Sequence, residues 1–202
     1  MDTSLSDIAA GVRPSVVQVL PGDSGGAGVV LSRGGQLVVV TNAHVARGVV
    51  GDRVRVLSHR RSVYQATIEQ TDTRRDLALL ALPPGKPDDL SSATLGDGTA
   101  LRPGQLLVAV GHPFGLTNAV TAGVVHSVGP IRSGWDHTVL SRGLSWIQAD
   151  IMLAPGNSGG PLLNIEGRVI SINTMIFGGL ALAVPVPDIW ALLQGLGEAI
   201  PA

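Results

Sequence analysis

The chain has 202 residues, of which 45% are apolar and 14% are charged, and its formal net charge is −1. This composition excludes an intrinsically disordered chain, which combines low hydrophobicity with high net charge, and the length suffices for one large domain or two small lobes. The near-zero charge gives no electrostatic basis for binding nucleic acid, and the absence of cysteine excludes disulfides, thiol nucleophiles and thiolate metal sites.

Short runs rich in Val, Ile and Leu, separated by glycine, proline and polar turn residues, predict about a dozen strands. The gaps between these runs are too short for the helices of an alternating α/β fold, so we expect an all-β fold. In chain order the predicted strands are 15–20, 28–32, 36–41, 53–58, 64–70, 77–82, 105–111, 119–128, 145–150, 161–164, 168–173 and 180–186.

The stretch 83–98 is the richest in turn formers and divides the predicted strands into two lobes of about six each. We therefore expect a single domain over residues 1–202 that contains two packed six-stranded antiparallel β-barrels, over about 12–86 and about 99–187. A helix is predicted to follow over about 188–199, because Asp188 can act as its N-cap and the leucines that follow share one face. No internal sequence repeat is visible.

The chain contains no uninterrupted apolar run of the roughly 18 residues that a membrane-spanning helix needs. Its first twenty residues carry acidic residues early and lack the basic start and apolar run of a secretory leader. We therefore expect a cytoplasmic protein as the sequence stands, or the trimmed domain of a periplasmic or otherwise extracytoplasmic one.

The strongest chemical signal is the run Gly156-Asn157-Ser158-Gly159-Gly160-Pro161. A serine hydroxyl is a poor nucleophile unless a base takes its proton and fixed donors receive the oxyanion, and glycines let the backbone turn tightly beside it. A glycine-rich turn without chemistry has the same residues, so this motif alone does not decide. The run also matches the G-x-S-x-G nucleophile elbow, but that motif requires a histidine later in the chain, and none follows Ser158.

The general base must therefore lie upstream of the serine. His44 directly follows the apolar run 37–40, and the end of a strand is a rigid mount for a base. Asp76 stands at the start of another apolar run, where a carboxylate can be buried beside an imidazole and fix its tautomer. The order His, Asp, Ser is that of chymotrypsin. The remaining histidines are interpreted as surface or core residues, without metal-ligand spacing: His59, His112, His126 and His137.

Four segments together resemble the motifs of trypsin-like serine proteases of the bacterial HtrA/Deg type. They are TNAHV (41–45), RRDLALL (74–80), GHPFG (111–115) and IQADIMLAPGNSGGPL (147–162). The similarity extends from about Val16 to Val186. It implies a chymotrypsin-like fold with a short C-terminal helix, no cofactor, and a serine endopeptidase that acts on polypeptides, above all on unfolded or misfolded proteins in protein quality control.

The resemblance also implies roles for individual residues. His44 is then the general base and acid, Asp76 orients it, and Ser158 attacks the scissile carbonyl. The backbone N–H groups of Gly156 and Ser158, with Asn157 between them, form the oxyanion hole.

The same resemblance implies substrate-binding residues on both sides of the serine. Thr174 is similar to the residue that steadies the catalytic carboxylate, and Met175, Ile176 and Phe177 would pair with the substrate backbone. Apolar candidates for the primary specificity pocket are Met152, Leu153 and Ile176. Because Asp150 is expected outside this pocket, which then has no acid, we expect cleavage after small or medium apolar residues rather than after Lys or Arg.

The chain also departs from the family pattern. Family members usually carry PDZ domains after the protease and tend to form trimers through an aromatic N-terminal segment, whereas residues 1–12 contain no aromatic residue. A homotrimer therefore stays an open alternative. A second function from a different class is also open, namely a protease-shaped chaperone or binding module whose active-site loop rests in an inactive conformation. An esterase of small substrates would share the same chemistry.

Overall fold

The computed structural model describes residues 4–22, 25–47, 51–85, 87–131 and 144–195. Within these ranges twelve strands form two closed barrels, each with six antiparallel strands. The first barrel contains β1 (Val16–Leu20), β2 (Gly26–Arg33), β3 (Gln36–Thr41), β4 (Arg53–Leu57), β5 (Val63–Asp72) and β6 (Leu77–Ala81). The second contains β7 (Leu106–Gly111), β8 (Ala119–Gly129), β9 (Trp146–Asp150), β10 (Pro161–Leu163), β11 (Val169–Phe177) and β12 (Leu180–Pro185).

The two barrels have the same topology. Around the first barrel the strand order is β1-β2-β3-β6-β5-β4, and around the second it is β7-β8-β9-β12-β11-β10. The barrels close through the pairs β1–β4 and β7–β10. The segment 82–105 joins them. The predicted all-β fold with two six-stranded barrels is confirmed, and the structure reveals a repeated topology that the sequence does not display.

The strands next to the barrel–barrel contact are buried on both faces. In β3, Val38 and Val40 lie in an apolar layer that residues of both barrels share, whereas Val39 lies inside the first barrel. In β7, Val108 lies in the shared layer and Ala109 lies inside the second barrel. Because successive side chains of a strand point to opposite faces, burial on both faces produces the continuous apolar runs of the sequence.

The described part of the chain also contains three α-helices, namely α1 (Leu5–Val12), α2 (Ala43–Ala46) and α3 (Val186–Leu193). The sequence analysis did not predict α1, which begins with a capping box formed by Ser4 and Asp7. The helix α3 was predicted, but it begins at Val186 with Pro185 as its N-cap. The expected N-cap role of Asp188 is therefore wrong, because Asp188 lies in the first turn. Residues 196–199 of the predicted helix lie outside the described ranges.

No helix in the described part of the chain is long and apolar enough to cross a membrane.

Candidate active site

His44 is fixed by a single carboxylate. It lies on α2, the one-turn helix that follows β3, and its Nδ1 is 2.6 Å from Asp76 Oδ2. The backbone N–H of His44 also donates to Asp76 Oδ1, at 2.9 Å. Since a carboxylate accepts at Nδ1, the neutral ring carries its proton there and leaves Nε2 free to accept one. Asp76 therefore sets both the orientation and the tautomer of the imidazole.

Asp76 lies in the turn between β5 and β6 with a φ of +55°, a conformation that residues other than glycine rarely adopt. Its carbonyl accepts hydrogen bonds from Ala43 N at 3.1 Å and from Asn42 Nδ2 at 2.9 Å. The buried Asn42 Nδ2 also donates to Thr174 Oγ1, at 3.0 Å. Asn42 therefore links the Asp76 turn to β11 of the second barrel. The sequence signal for this role was a polar residue just ahead of His44, to which the sequence analysis gave no function.

Within the described residues, no hydrogen bond joins Thr174 to the Asp76 carboxylate, in contrast to what the resemblance implies. The Thr174 hydroxyl is 3.0 Å from Asn42 Nδ2 and 3.4 Å from the Ile172 carbonyl. Asn42 stands between Thr174 and Asp76. Its side-chain amide binds both the Thr174 hydroxyl and the Asp76 carbonyl, and in this way connects Thr174 to the Asp76 turn. The carboxylate of Asp76 binds the ring and the backbone N–H of His44.

Ser158 lies on the loop between β9 and β10, and this loop packs tightly against the first barrel. Its carbonyl accepts from Ala27 N at 2.7 Å, and the next residue, Gly159, donates to the Asn173 carbonyl at 2.8 Å. Gly159 has a φ of +84°, and a Cβ there would lie 2.1 Å from the Ala27 carbonyl oxygen. Only glycine fits this position. Within the glycine-rich run, the contact of the loop with β2 therefore explains Gly159.

The hydroxyl of Ser158 points toward the second barrel. Ser158 Oγ donates to the Thr174 carbonyl at 2.9 Å, and within the described residues no hydrogen bond joins it to His44. Ser158, His44 and Asp76 nevertheless line one cavity of about 560 Å³. The structure thus brings the three predicted side chains into the same cleft, with the hydroxyl turned toward β11.

Two peptide groups of the serine loop are oriented by their carbonyls. The Pro155 carbonyl accepts from Phe114 N at 3.1 Å, and the Asn157 carbonyl accepts a backbone N–H from later in the same loop at 3.0 Å. In a planar trans peptide the N–H points away from the C=O. The N–H groups of Gly156 and Ser158 therefore point away from these partners, and neither donates to another described residue. The N–H of Asn157 donates to the Ala154 carbonyl at 3.0 Å, so Asn157 provides no third free donor.

His112 packs against the serine loop at Gly156. Its backbone N–H donates to the Gly156 carbonyl at 3.1 Å. A Cβ on Gly156, whose φ is +104°, would lie 2.3 Å from the His112 carbonyl oxygen. His112 is 3% exposed. Burial lowers the pKa of His112 from 6.5 to about 4, and the Val17 carbonyl opposes this effect only in part. His112 was interpreted as a surface or core residue, and the structure adds that it supports the loop.

Because His112 is buried, we expect the stability of the fold to decrease at acidic pH. Because the pKa of His112 is lower in the folded chain than in the unfolded chain, the unfolded state binds more protons between about pH 6.5 and about pH 4. Above pH 6.5 His112 is neutral in both states and does not lower the free energy of unfolding. As the pH drops from about 6.5 to about 4, the free energy of unfolding falls, and His112 accounts for up to about 3 kcal/mol of this fall. Urea unfolding at several pH values should show a smaller acid loss for His112→Gln than for the wild type. The exposed His126 offers a control, since His126→Gln should keep the wild-type loss; equal losses in all three proteins would contradict the role of His112.

The predicted substrate-binding residues divide into two groups. Leu153, Thr174, Met175 and Ile176 line the same cavity as the three candidate catalytic residues. Met152 and Phe177 do not; Met152 is 79% exposed, and Phe177 packs against the apolar layer between the barrels. The sequence analysis did not name four further residues of the lining as site residues, namely Arg47, Thr73, Ala154 and Pro155. In the described lining Asp76 is the sole acidic residue, and it is paired with His44.

Comparison with known proteins gives a consistent result. The model of the trypsin-like peptidase domain family matches residues 17–172. Serine protease HTRA4 of Mus musculus is 37% identical over 186 residues, which are 92% of this chain and 37% of that protein. A probable periplasmic serine endoprotease, DegP-like, of Marinomonas sp. (strain MWYL1) is 39% identical over 166 residues, which are 79% of this chain and 33% of that protein. The chain thus spans about a third of the length of these relatives.

A solved structure described as the HtrA-type protease AlgW with decapeptide aligns with a TM-score of 0.80 and 26% identity. The alignment covers 96% of this chain and 67% of that one. The relatives include both mammalian and bacterial proteins, so the similarity is not confined to bacteria. On the family match, the curated relatives and the shared two-barrel fold, the chain belongs to the trypsin-like peptidase family, as a serine protease domain of the HtrA type.

Proposed function

We propose that this domain is a serine endopeptidase in which Ser158, His44 and Asp76 form the catalytic triad. The observation that carries the proposal is the 2.6 Å contact between His44 Nδ1 and Asp76 Oδ2 in a cleft that Ser158 also lines. In the first step His44 Nε2 takes the hydroxyl proton while Ser158 Oγ bonds to the scissile carbonyl carbon. His44 then returns the proton to the leaving amine as the peptide C–N bond breaks, and water hydrolyses the acyl-enzyme by the reverse use of the same groups.

The hydroxyl must turn for this reaction to begin. Ser158 Oγ donates to the Thr174 carbonyl, so attack requires rotation about the Cα–Cβ bond of Ser158 toward His44. We expect a substrate backbone N–H to bind the Thr174 carbonyl and thereby release the hydroxyl. Substrate binding and serine activation would then be coupled through a single acceptor.

The proposed oxyanion hole consists of the N–H groups of Gly156 and Ser158. Their orientation supports this role, because the carbonyls of the same peptides are bound elsewhere and the two donors have no described partner. Fixed backbone donors stabilise developing negative charge without having to reorganise during the reaction. Loss of one such donor costs roughly 10²–10³ in turnover in enzymes that use this device.

Substrates of the domain are proposed to be polypeptides, with preference for unfolded or misfolded ones. The related structure described as the HtrA-type protease AlgW with decapeptide supports the polypeptide class. A homotrimer and a role in protein quality control stay open expectations, and the chemistry proposed above needs neither.

Cleavage is expected after small or medium apolar residues such as Val, Ala or Leu. Leu153, Ala154 and Ile176 make the described cleft apolar, and a buried substrate cation would find no free carboxylate there. Selectivity should be modest, because one methylene in an apolar pocket is worth about 1–3 kcal/mol. Digestion of unfolded β-casein followed by mass spectrometry of the products gives the distribution of cut sites.

Two neighbouring residues allow a matched test of the specificity pocket. Leu153 lines the cleft, whereas Met152 is 79% exposed outside it. Leu153→Ala should therefore shift the cut sites toward larger apolar residues, and Met152→Ala should leave them unchanged. A dominant preference of the wild type for Lys or Arg would show that the assignment of the pocket is wrong.

One observation favours the second candidate, a protease-shaped binding or chaperone module. The Ser158 hydroxyl is held by Thr174 rather than by His44, which is also how an inactive resting site could be arranged. The oriented N–H groups of Gly156 and Ser158 favour the endopeptidase instead. The two functions differ in whether the serine reacts with an electrophile, and an esterase differs from both in cleaving nitrophenyl esters but not casein.

A further inference from the structure

Arg75, the residue directly before Asp76, forms ion pairs with two acidic residues. Its Nη1 is 2.6 Å from Asp72 Oδ2, and its Nε is 2.8 Å from Asp188 Oδ1. The backbone N–H of Arg75 also donates to Asp72 Oδ1, at 2.9 Å. The planar guanidinium suits such simultaneous contacts, because its donors form a rigid fork.

This ion network is largely shielded from solvent. The side chain of Asp72 is 2% exposed, and those of Arg75 and Asp188 are 24% and 20% exposed. A carboxylate buried to this degree is costly unless it is paired and hydrogen-bonded. Arg75 provides Asp72 with both an ion pair and a backbone hydrogen bond, and its Nε binds Asp188, so the position of the guanidinium is fixed by two carboxylates.

The network also connects the two barrels. Asp72 ends β5 of the first barrel, and Asp188 lies in the first turn of α3, which directly follows β12 of the second barrel. A carboxylate in the first turn of a helix interacts favourably with the helix dipole, and this favours the position of Asp188 at the start of α3. The catalytic candidates are divided in the same way, with His44 and Asp76 on the first barrel and Ser158 on the second.

We propose that Arg75 is a positioning residue, which fixes the turn that carries Asp76 against α3 and so sets the placement of His44 relative to Ser158. Asp76 adopts a φ of +55° directly after Arg75, so the turn depends on its neighbours to hold this conformation. Asn42 ties the same turn to β11 at Thr174. Arg75 is therefore a second, ionic connection between the Asp76 turn and the second barrel. This inference rests on the proposed endopeptidase function.

The test uses Asp188→Asn and Arg75→Gln, with fluorescein-labelled β-casein as substrate. A small displacement of a catalytic group lowers turnover strongly, by up to about 10²-fold per ångström. We expect kcat to fall about tenfold or more in each variant, while KM for casein stays within about twofold, because neither change alters the apolar lining of the cleft. The double variant should be no slower than Arg75→Gln alone, since both changes break one network.

Arg33 provides the matched control. It forms an ion pair with Glu69 at 2.6 Å on the first barrel and does not line the cleft. Arg33→Gln should keep the wild-type kcat. If Arg75→Gln leaves Asp72 unpaired and the variant does not fold, Asp188→Asn decides the matter, because it retains the Arg75–Asp72 pair.

Two results would overturn the positioning role. One is a folded Asp188→Asn or Arg75→Gln protein with wild-type kcat, even if its unfolding midpoint is lowered. The other is a loss that appears in KM alone. Failure of the proposed function itself looks different, because the wild-type domain would then not cleave casein at all.

Discussion

Replacement of Ser158 by alanine is expected to reduce casein hydrolysis by about 10⁶-fold, the loss that follows removal of the nucleophile from a working triad. The fold should remain intact. Ser158 Oγ makes a single described hydrogen bond, to the Thr174 carbonyl at 2.9 Å, and a bond of this kind contributes about 1 kcal/mol to stability. The measurement is the rate of casein cleavage by purified protein, with circular dichroism and the unfolding midpoint as checks of the fold.

Ser127 offers a control for this experiment, since it lies on β8 of the same barrel and does not line the cleft. Ser127→Ala should cleave casein at the wild-type rate. A Ser158→Ala protein that retains activity within tenfold of the wild type would remove Ser158 from the role of nucleophile.

The second large effect is expected for Asp76→Asn, which should lower kcat by about 10⁴-fold. An amide at this position can no longer hold the His44 proton on Nδ1, so the ring presents the wrong tautomer to the serine. Asparagine is a favourable substitute here because it tolerates the φ of +55° that Asp76 adopts. The loss of activity can therefore be assigned to chemistry rather than to backbone strain.

Asp150→Asn is the matched control for this substitution. Asp150 is exposed at the end of β9 and is absent from the described lining of the cleft, so this variant should keep the wild-type kcat. A folded Asp76→Asn protein with kcat within tenfold of the wild type would contradict the assignment of Asp76 as the residue that orients His44.

The fold was predictable because its strands are marked by apolar content. The run 36–41 was predicted to be a strand and is β3, since Val38, Val39 and Val40 are all buried between two apolar environments. The helix α1 was missed because its stability depends on Ile8 and Val12 packing into the shared layer, a tertiary contact. Asp188 was misplaced as an N-cap because its actual partner, Arg75, lies 113 positions away in the chain.

The site was predictable where the backbone imposes a residue type. Gly156 and Gly159 are required by positive φ values and close contacts, and they mark the serine loop in the sequence. The direction of the side chains near the serine was harder to predict from the sequence. In β11 the pairing register shifts between Asn173 and Met175, and such a bulge changes which face the following residues occupy. Because strand pairing sets such a shift, sequence spacing alone did not separate Phe177, which is absent from the described lining of the cleft, from Met175 and Ile176, which belong to it.

The most direct test of the proposed function is labelling of the wild-type domain with a fluorophosphonate probe. The probe reacts with a serine only where a base activates the hydroxyl and donors stabilise the oxyanion. We expect one probe per molecule, located on Ser158 by peptide mass spectrometry, with labelling lost on denaturation and nearly lost in Asp76→Asn. A folded wild-type domain that remains unlabelled, or that carries the probe at another residue, would contradict the triad of Ser158, His44 and Asp76.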